Sequence, residues 1–169
     1  RQDEDEQMQR VVERVSLTQP APIQVDSTEP EVIEAALEKI PGRAIVNSIN
    51  LEAGRDKLDR VVPLAKSHGA AVIALTIDEQ GMAKTAADKL RIGKRIYKIC
   101  TEDYGLAPED LLFDVLTFTI CTGNEDDRRL ALETLEGIKR LREELPGVNL
   151  LLGVSNVSFG LNPAARHAL

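Results

Sequence analysis

Residues 70–77 read AAVIALTI and run straight into Asp78-Glu79-Gln80-Gly81. The run lacks clean polar–apolar alternation, the pattern of a strand buried on both faces in a parallel sheet. Four other short runs share it: residues 22–26 (PIQVD), 44–49 (AIVNSI), 110–118 (DLLFDVLTF) and 148–154 (VNLLLGV). Helical patterns separate them over residues 29–40, 55–67, 83–102 and 125–145. Ser27 or Thr28 is the expected N-cap of the first of these, with Pro30 near its first turn and Pro41-Gly42 ending it. Pro63 predicts a bend or interruption in the second, and Gly69 stands where its C-cap falls. Residues 1–15 place Met8, Val11, Val12 and Val15 on one helical face, with the charges as its solvated side. Pro20 and Pro22 then break the pattern.

Strands alternating with helices make the class α/β with a parallel sheet. Two architectures satisfy it. A complete eight-unit barrel needs about 250 residues, whereas five strands suit an open doubly wound domain of this chain's 169 residues. No G-x-G-x-x-G or phosphate-loop sequence supports nucleotide binding.

Composition narrows the partners. Lys+Arg total 21 against 28 Asp+Glu, a formal charge of −7, which argues against nucleic acid. No apolar run approaches the roughly 18 residues of a membrane span, and no signal-peptide pattern is present. Cys100 and Cys121 cannot form a disulfide framework, which suits a reducing, cytoplasmic compartment. With two distant histidines they make no zinc spacing, so no metal site is expected.

In either architecture ligands bind beyond the carboxyl ends of the strands. Those ends carry Asp26-Ser27-Thr28, Asn47-Ser48 with Asn50, Asp78-Glu79-Gln80, Asp114 with Thr117, Thr119 and Thr122, and Ser155-Asn156. Carboxylates and carboxamides dominate, with almost no cation among them. A phosphate site wants Lys, Arg or a glycine cradle. This set wants a neutral ligand rich in N–H donors, such as a guanidine-like or pterin edge. Each residue alone has a plainer use: Asp26 as a cap, Asn47 and Asn156 as turn or strand-end residues, Asp78 and Glu79 as a solvated loop. Asp114 lies inside an apolar run and calls for a dedicated partner.

The segments PIQVDS (22–27), IVNSI (45–49), DEQG (78–81), Phe113-Asp114, Thr122-Gly123 and GVSNVSF (153–159) occur in this order. On them the chain resembles the pterin-binding (methyltetrahydrofolate) domain of cobalamin-dependent methionine synthases. Corrinoid methyltransferases and dihydropteroate synthases are similar in fold. The resemblance spans residues 21–169 and implies a TIM-type (β/α)8 barrel, here incomplete. About five β/α units, strands three to seven, fall in residues 21–169, and residues 1–20 form a helix and linker. Two further units are expected upstream and one downstream.

The resemblance further implies binding of 5-methyltetrahydrofolate and methyl transfer from N5 to the Co(I) of cobalamin, within methionine synthesis from homocysteine. The cobalamin would be held by a cobalamin-binding domain in the same or another chain, and zinc only by a separate homocysteine domain. Carried over by position, Asp26, Asn47 and Asp114 contact the pterin with Ser27 and Ser48 beside them, and Asn156 lies near N5. Asn156 and Asp114 are the implied catalytic pair. N5 is a poor leaving group until it gains a proton. Asn156 has none to give, so it would orient N5 while protons arrive through water or the Asp114 network. One departure is local: relatives commonly continue Asp-Pro, whereas this chain reads Asp114-Val115-Leu116. This frees a backbone N–H and removes a side-chain amide.

Two alternatives remain. A dihydropteroate synthase would need basic residues at the strand ends for a pyrophosphate leaving group. A folate-binding module without turnover would use the same residues. His68 is expected to cap or face solvent, His167 and Cys100 to be structural, and Cys121 to lack a base partner.

Overall fold

The structure is a computed structural model that describes residues 2–166; His167 lies outside the described residues. The chain begins with α1 (Gln2–Thr18), β1 (Gln24–Asp26), α2 (Pro30–Leu37), β2 (Ile45–Ile49), α3 (Asp56–Ser67) and β3 (Ala71–Leu75). A small hairpin, β4 (Ile77–Asp78) and β5 (Gly81–Met82), precedes α4 (Ala86–Lys98), which ends in a π-helical turn over Ile99–Asp103. Then follow β6 (Leu111–Asp114), α5 (Leu130–Glu144), β7 (Asn149–Leu151), a 3-10 turn over Val154–Ser158 and α6 (Pro163–Arg166).

Five strands form one parallel sheet in the order β1-β2-β3-β6-β7. Each crossover therefore leads to the next-door strand. A doubly wound sheet reverses its strand order at a switch point; this sheet does not, and its order is that of a (β/α) barrel. The helices form one layer: α1 packs on α2, α2 on α3, and α4 on α5. Val46, Ile49, Val72, Leu111 and Phe113 meet Ile33, Leu58, Val61, Ile92 and Leu141 in a continuous apolar core. Burying each such side chain contributes about 1.5–3 kcal/mol. Of the alternate strand positions, Asn47, Leu112 and Asp114 are only partly buried and Asp26 is exposed, as expected on the concave face of a barrel arc.

Local chemistry explains most boundaries. Thr85 caps α4, accepting the Asp88 N–H at 3.1 Å and donating to Asp88 Oδ2 at 2.7 Å. His68 is the C-cap residue of α3, its Nδ1 lying 3.0 Å from Leu64 O, and Gly69 follows at φ +63°. Helices α4 and α5 approach closely at two glycines. A Cβ on Gly93 would overlap Leu141, and one on Gly137 would lie 2.6 Å from Lys89 Cδ.

Several boundaries differ from expectation. The N-cap of α2 is Glu29, with no side-chain cap; Ser27 Oγ instead accepts the Glu29 N–H at 3.2 Å in the turn before it. Helix α3 runs unbroken through Pro63, which lies on its exposed side, where water can serve the carbonyl the ring leaves unpaired. The run at 110–118 is a strand only as far as Asp114, because Leu116 takes φ +63° and turns the chain. The run at 148–154 is a strand only over Asn149–Leu151, since a 3-10 turn begins at Val154.

Candidate functional site

The carboxyl ends of β1 and β2 bring Asp26 and Asn47 side by side as register partners. Asn47 Nδ2 donates to Asp26 Oδ2 at 3.1 Å. Asp26 Oδ1 and Asn47 Oδ1 remain as adjacent acceptors. Ser27 sits in the turn into α2, its N–H donating to Asn47 O at 3.2 Å. Ser48 is half-buried and follows a cis Asn47–Ser48 peptide at an irregularity in the β2–β3 register. Lys57 of α3 lies within the field of Asp26. Burial lowers its ammonium from the usual lysine range, while the charges of Glu29 and Asp26 oppose that shift.

Asp114 ends β6 on the same face. Asn47 lies level with Ile73, and Ile73 with Leu112, so Asp114 is one pleat further along. Its Oδ1 accepts the Leu116 N–H at 2.9 Å, closing the turn that positive-φ Leu116 makes. The amide that relatives supply there is absent, yet Leu116 is fully used through its backbone: its carbonyl also accepts from Thr134 Oγ1 at 3.0 Å. Burial pushes the Asp114 carboxyl upward. The Leu116 N–H, the charge of Lys89 and the Gly153 N–H pull it back.

Lys89 of α4 has no counterpart among the residues singled out from the sequence. Its side chain is fully buried. Nζ donates to Ala83 O at 3.0 Å, to Leu116 O at 3.2 Å and to Val115 O. It also lies 5.1 Å from the Phe118 ring centroid. Desolvation lowers this ammonium to about 8, opposed by Asp114 and Glu133. One signal was available: Lys89 falls on the apolar stripe of α4 with Ala86, Ile92, Gly93 and Ile96, where a solvated lysine has no place.

The end of β3 is not the solvated acidic loop expected. Asp78 is 2% exposed and accepts from Arg91 Nη1 at 2.7 Å and from the Gln80 N–H at 3.0 Å. Glu79 takes Arg95 through both oxygens at 2.7 Å, and that contact chiefly holds its carboxyl at about 2. The expectation of almost no cations at the strand ends is thus corrected. Helices supply four of them, Lys57, Lys89, Arg91 and Arg95. Lys89 is committed to carbonyls and both arginines to carboxylates, while Lys57 lies within the field of Asp26 and Glu29.

Asn156 lies in the 3-10 turn after β7, exposed, with no side-chain hydrogen bond among the described residues. The turn is tied to the loop after β6 by Thr117 Oγ1 donating to Gly153 O and Thr119 Oγ1 to Phe159 O at 2.7 Å. Among the described residues no hydrogen bond joins Asn156 or Asp114 to the Asp26–Asn47 pair. Thr122 bonds Asp127, so the loop threonines serve structure.

Two hollows lie at the other end of the sheet. One of about 340 Å³ is lined by residues such as Pro20, Ile23, Ile40 and Arg43. Another of about 250 Å³ involves Arg43, Ile45, Ala71, Asp110 and Leu112, and its Arg43 already pairs with Asp110. Neither gathers the acceptor set found at the carboxyl ends. Cys100 is buried, its thiol pushed up to about 12, and Cys121 is exposed. Among the described residues no three His, Cys, Asp or Glu side chains group to hold a metal, and no helix is long and apolar enough to cross a membrane.

Residues 1–169 match the family model described as pterin binding enzyme, whose members are TIM barrels. The chain is 44% identical over 165 residues to the methionine synthase of Mycobacterium tuberculosis (strain ATCC 25618 / H37Rv). It is 42% identical over 165 residues to that of Mycobacterium leprae (strain TN). Each match covers 96% of this chain but only 14% of the relative's length.

Proposed function

Because this chain belongs to the pterin-binding enzyme family, we propose that it binds 5-methyltetrahydrofolate at the carboxyl ends of its strands and presents N5 for methyl transfer in methionine synthesis. The observation that carries the proposal is the Asp26–Asn47 pair, with adjacent acceptor oxygens at the strand ends and Asp114 on the same face. A pterin offers an amino group beside a ring N–H. Carboxylates accept such donors side by side, and a carboxamide can both donate and accept.

Asp26 and Asn47 take that edge, with Ser27 and Ser48 at their side, and Asp114 takes a further ring N–H. Cobalamin, held by another domain, supplies the nucleophile that receives the methyl group. This chain's own part is to orient N5 and manage its proton. Asn156 points a carboxamide toward N5, a hydrogen bond that gains strength as charge develops there. N5 departs as an amine only with a proton, which arrives through water or the network that contains Asp114. A pyrophosphate-handling relative would need several uncommitted cations at this face; Lys89, Arg91 and Arg95 are bound to protein acceptors, which leaves of the four only Lys57, itself in the field of Asp26 and Glu29.

Titration calorimetry of the intact protein with 5-methyltetrahydrofolate tests binding, and a quench assay with Co(I) cobalamin tests transfer. The proposal expects both. Binding without transfer would leave a folate-binding module, and absence of binding would overturn it.

A further inference from the structure

We propose that Lys89 is a positioning residue for the folate site: its buried ammonium fixes the turn after β6 and holds the Asp114 carboxylate ionised at the pterin face. The inference rests on the folate-binding function proposed above and extends it to a residue outside the contact set.

Three observations converge. First, Nζ donates to Ala83 O, Val115 O and Leu116 O, using the full donor capacity of an ammonium on backbone acceptors. Two of those carbonyls belong to the turn that also gives Asp114 its Leu116 N–H. The lysine therefore grips the same two residues that orient the carboxylate. Second, the slot is built for this side chain. Gly137 lies inside α5, where glycine is a poorer helix former than alanine, and a Cβ there would lie 2.6 Å from Lys89 Cδ. Helix propensity is given up where the lysine stem passes. Third, the neighbouring charges are few. Asp114 of β6 and Glu133 of α5 are the acidic groups felt by the ammonium, and Glu133 Oε2 is occupied by the Ala86 N–H at 2.7 Å. Asp114 is thus the carboxylate whose ionisation the ammonium influences at the site.

The chemical consequence is directional. Burial favours the neutral form of Asp114, and a nearby cation favours the carboxylate. Removing the cation moves the protonation of Asp114 toward neutral pH. The acceptor that a pterin N–H needs is then lost at a higher pH than in the parent protein.

The test is the pH profile of 5-methyltetrahydrofolate affinity, measured by calorimetry on the intact protein and two variants. Lys89→Met keeps the stem and removes the charge. Gly137→Ala keeps the charge and displaces the stem. The expected result for Lys89→Met is an acid limb moved up by about one pH unit, at the low end of what a nearby opposite charge does, so that affinity on the acid side of the limb falls about tenfold while the plateau above it is nearly kept. Gly137→Ala is expected to move the limb the same way by less. An unchanged limb, with affinity either unaltered or lowered uniformly at every pH, would overturn the proposal, because a purely structural lysine does the latter. Should Lys89→Met not fold, Gly137→Ala decides on the same criterion. A parent protein that binds no folate at any pH would instead overturn the proposed function and this inference with it, and that outcome is seen before any variant is compared.

Discussion

Asp114→Asn separates binding from folding. The substitution keeps side-chain volume, and the new Oδ1 can still accept the Leu116 N–H that Asp114 holds at 2.9 Å. What is lost is the charge and one acceptor, replaced by an NH2 group that would meet a pterin N–H donor to donor. A hydrogen bond to a charged group contributes about 1.5–3 kcal/mol, so folate affinity should fall by about 10- to 150-fold. Stability should change little, within about 1 kcal/mol. Burial already disfavours the carboxylate, which offsets the lost attraction to Lys89. The contrast is Asp78→Asn. That carboxylate is more deeply buried, but it is committed to Arg91 and to the hairpin. Its loss should cost about 1–2 kcal/mol of stability, discounted because Arg91 is half exposed, and leave folate affinity unaltered. Calorimetry and thermal unfolding on the two variants give both numbers. A folded Asp114→Asn protein that binds 5-methyltetrahydrofolate within twofold of the parent would refute the role given to Asp114.

Other outcomes follow from the same geometry. Asn156→Ala should slow methyl transfer by about 100-fold while changing folate affinity only a few-fold, since its hydrogen bond strengthens only as N5 leaves; single-turnover transfer against calorimetric affinity checks this. The unfolded chain holds the Lys89 proton up to about 10.5 and the folded protein only to about 8. Between those values the unfolded state binds the extra proton, so rising pH favours folding, by up to about 3 kcal/mol. Chemical denaturation between pH 7.5 and pH 10.5 should show that rise in the parent and not in Lys89→Met. Gly93→Ala should destabilise by about 1–3 kcal/mol by forcing Leu141 aside where α4 meets α5, measurable as a lowered midpoint. Residues 1–169 expressed alone present the outer edges of β1 and β7, which have no strand partner among the described residues. They should aggregate, and a soluble monomer with one cooperative melt would contradict that.

The strands were legible because their apolar runs lack alternation, and the helices because their stripes and caps are local. Asp26, Asn47 and Asp114 were legible for a related reason: each stands at the end of such a run, and strand ends share one side of a parallel sheet. Three features were hidden, each for a physical cause. The β4–β5 hairpin has two residues per strand, too short for any period. The turn after β6 depends on a left-handed Leu116, a conformation that a leucine does not advertise. The partners of Asp78 and Glu79 lie 13 and 16 residues downstream on α4, so the acidic strand end read as a solvated loop when it is closed by arginine. Lys89 stood in plain view on an apolar stripe, masked by the charged residues around it in AADKLRIGKR.

The central claim is that a pterin is read by acceptors at the carboxyl ends of this sheet. A crystal structure of the intact protein with 5-methyltetrahydrofolate tests it most directly. The pterin ring should lie within hydrogen-bond distance of Asp26, Asn47 and Asp114, with N5 toward Asn156. A pterin seated instead at the opposite end, against Arg43, Ile45, Ala71 and Leu112, would contradict it.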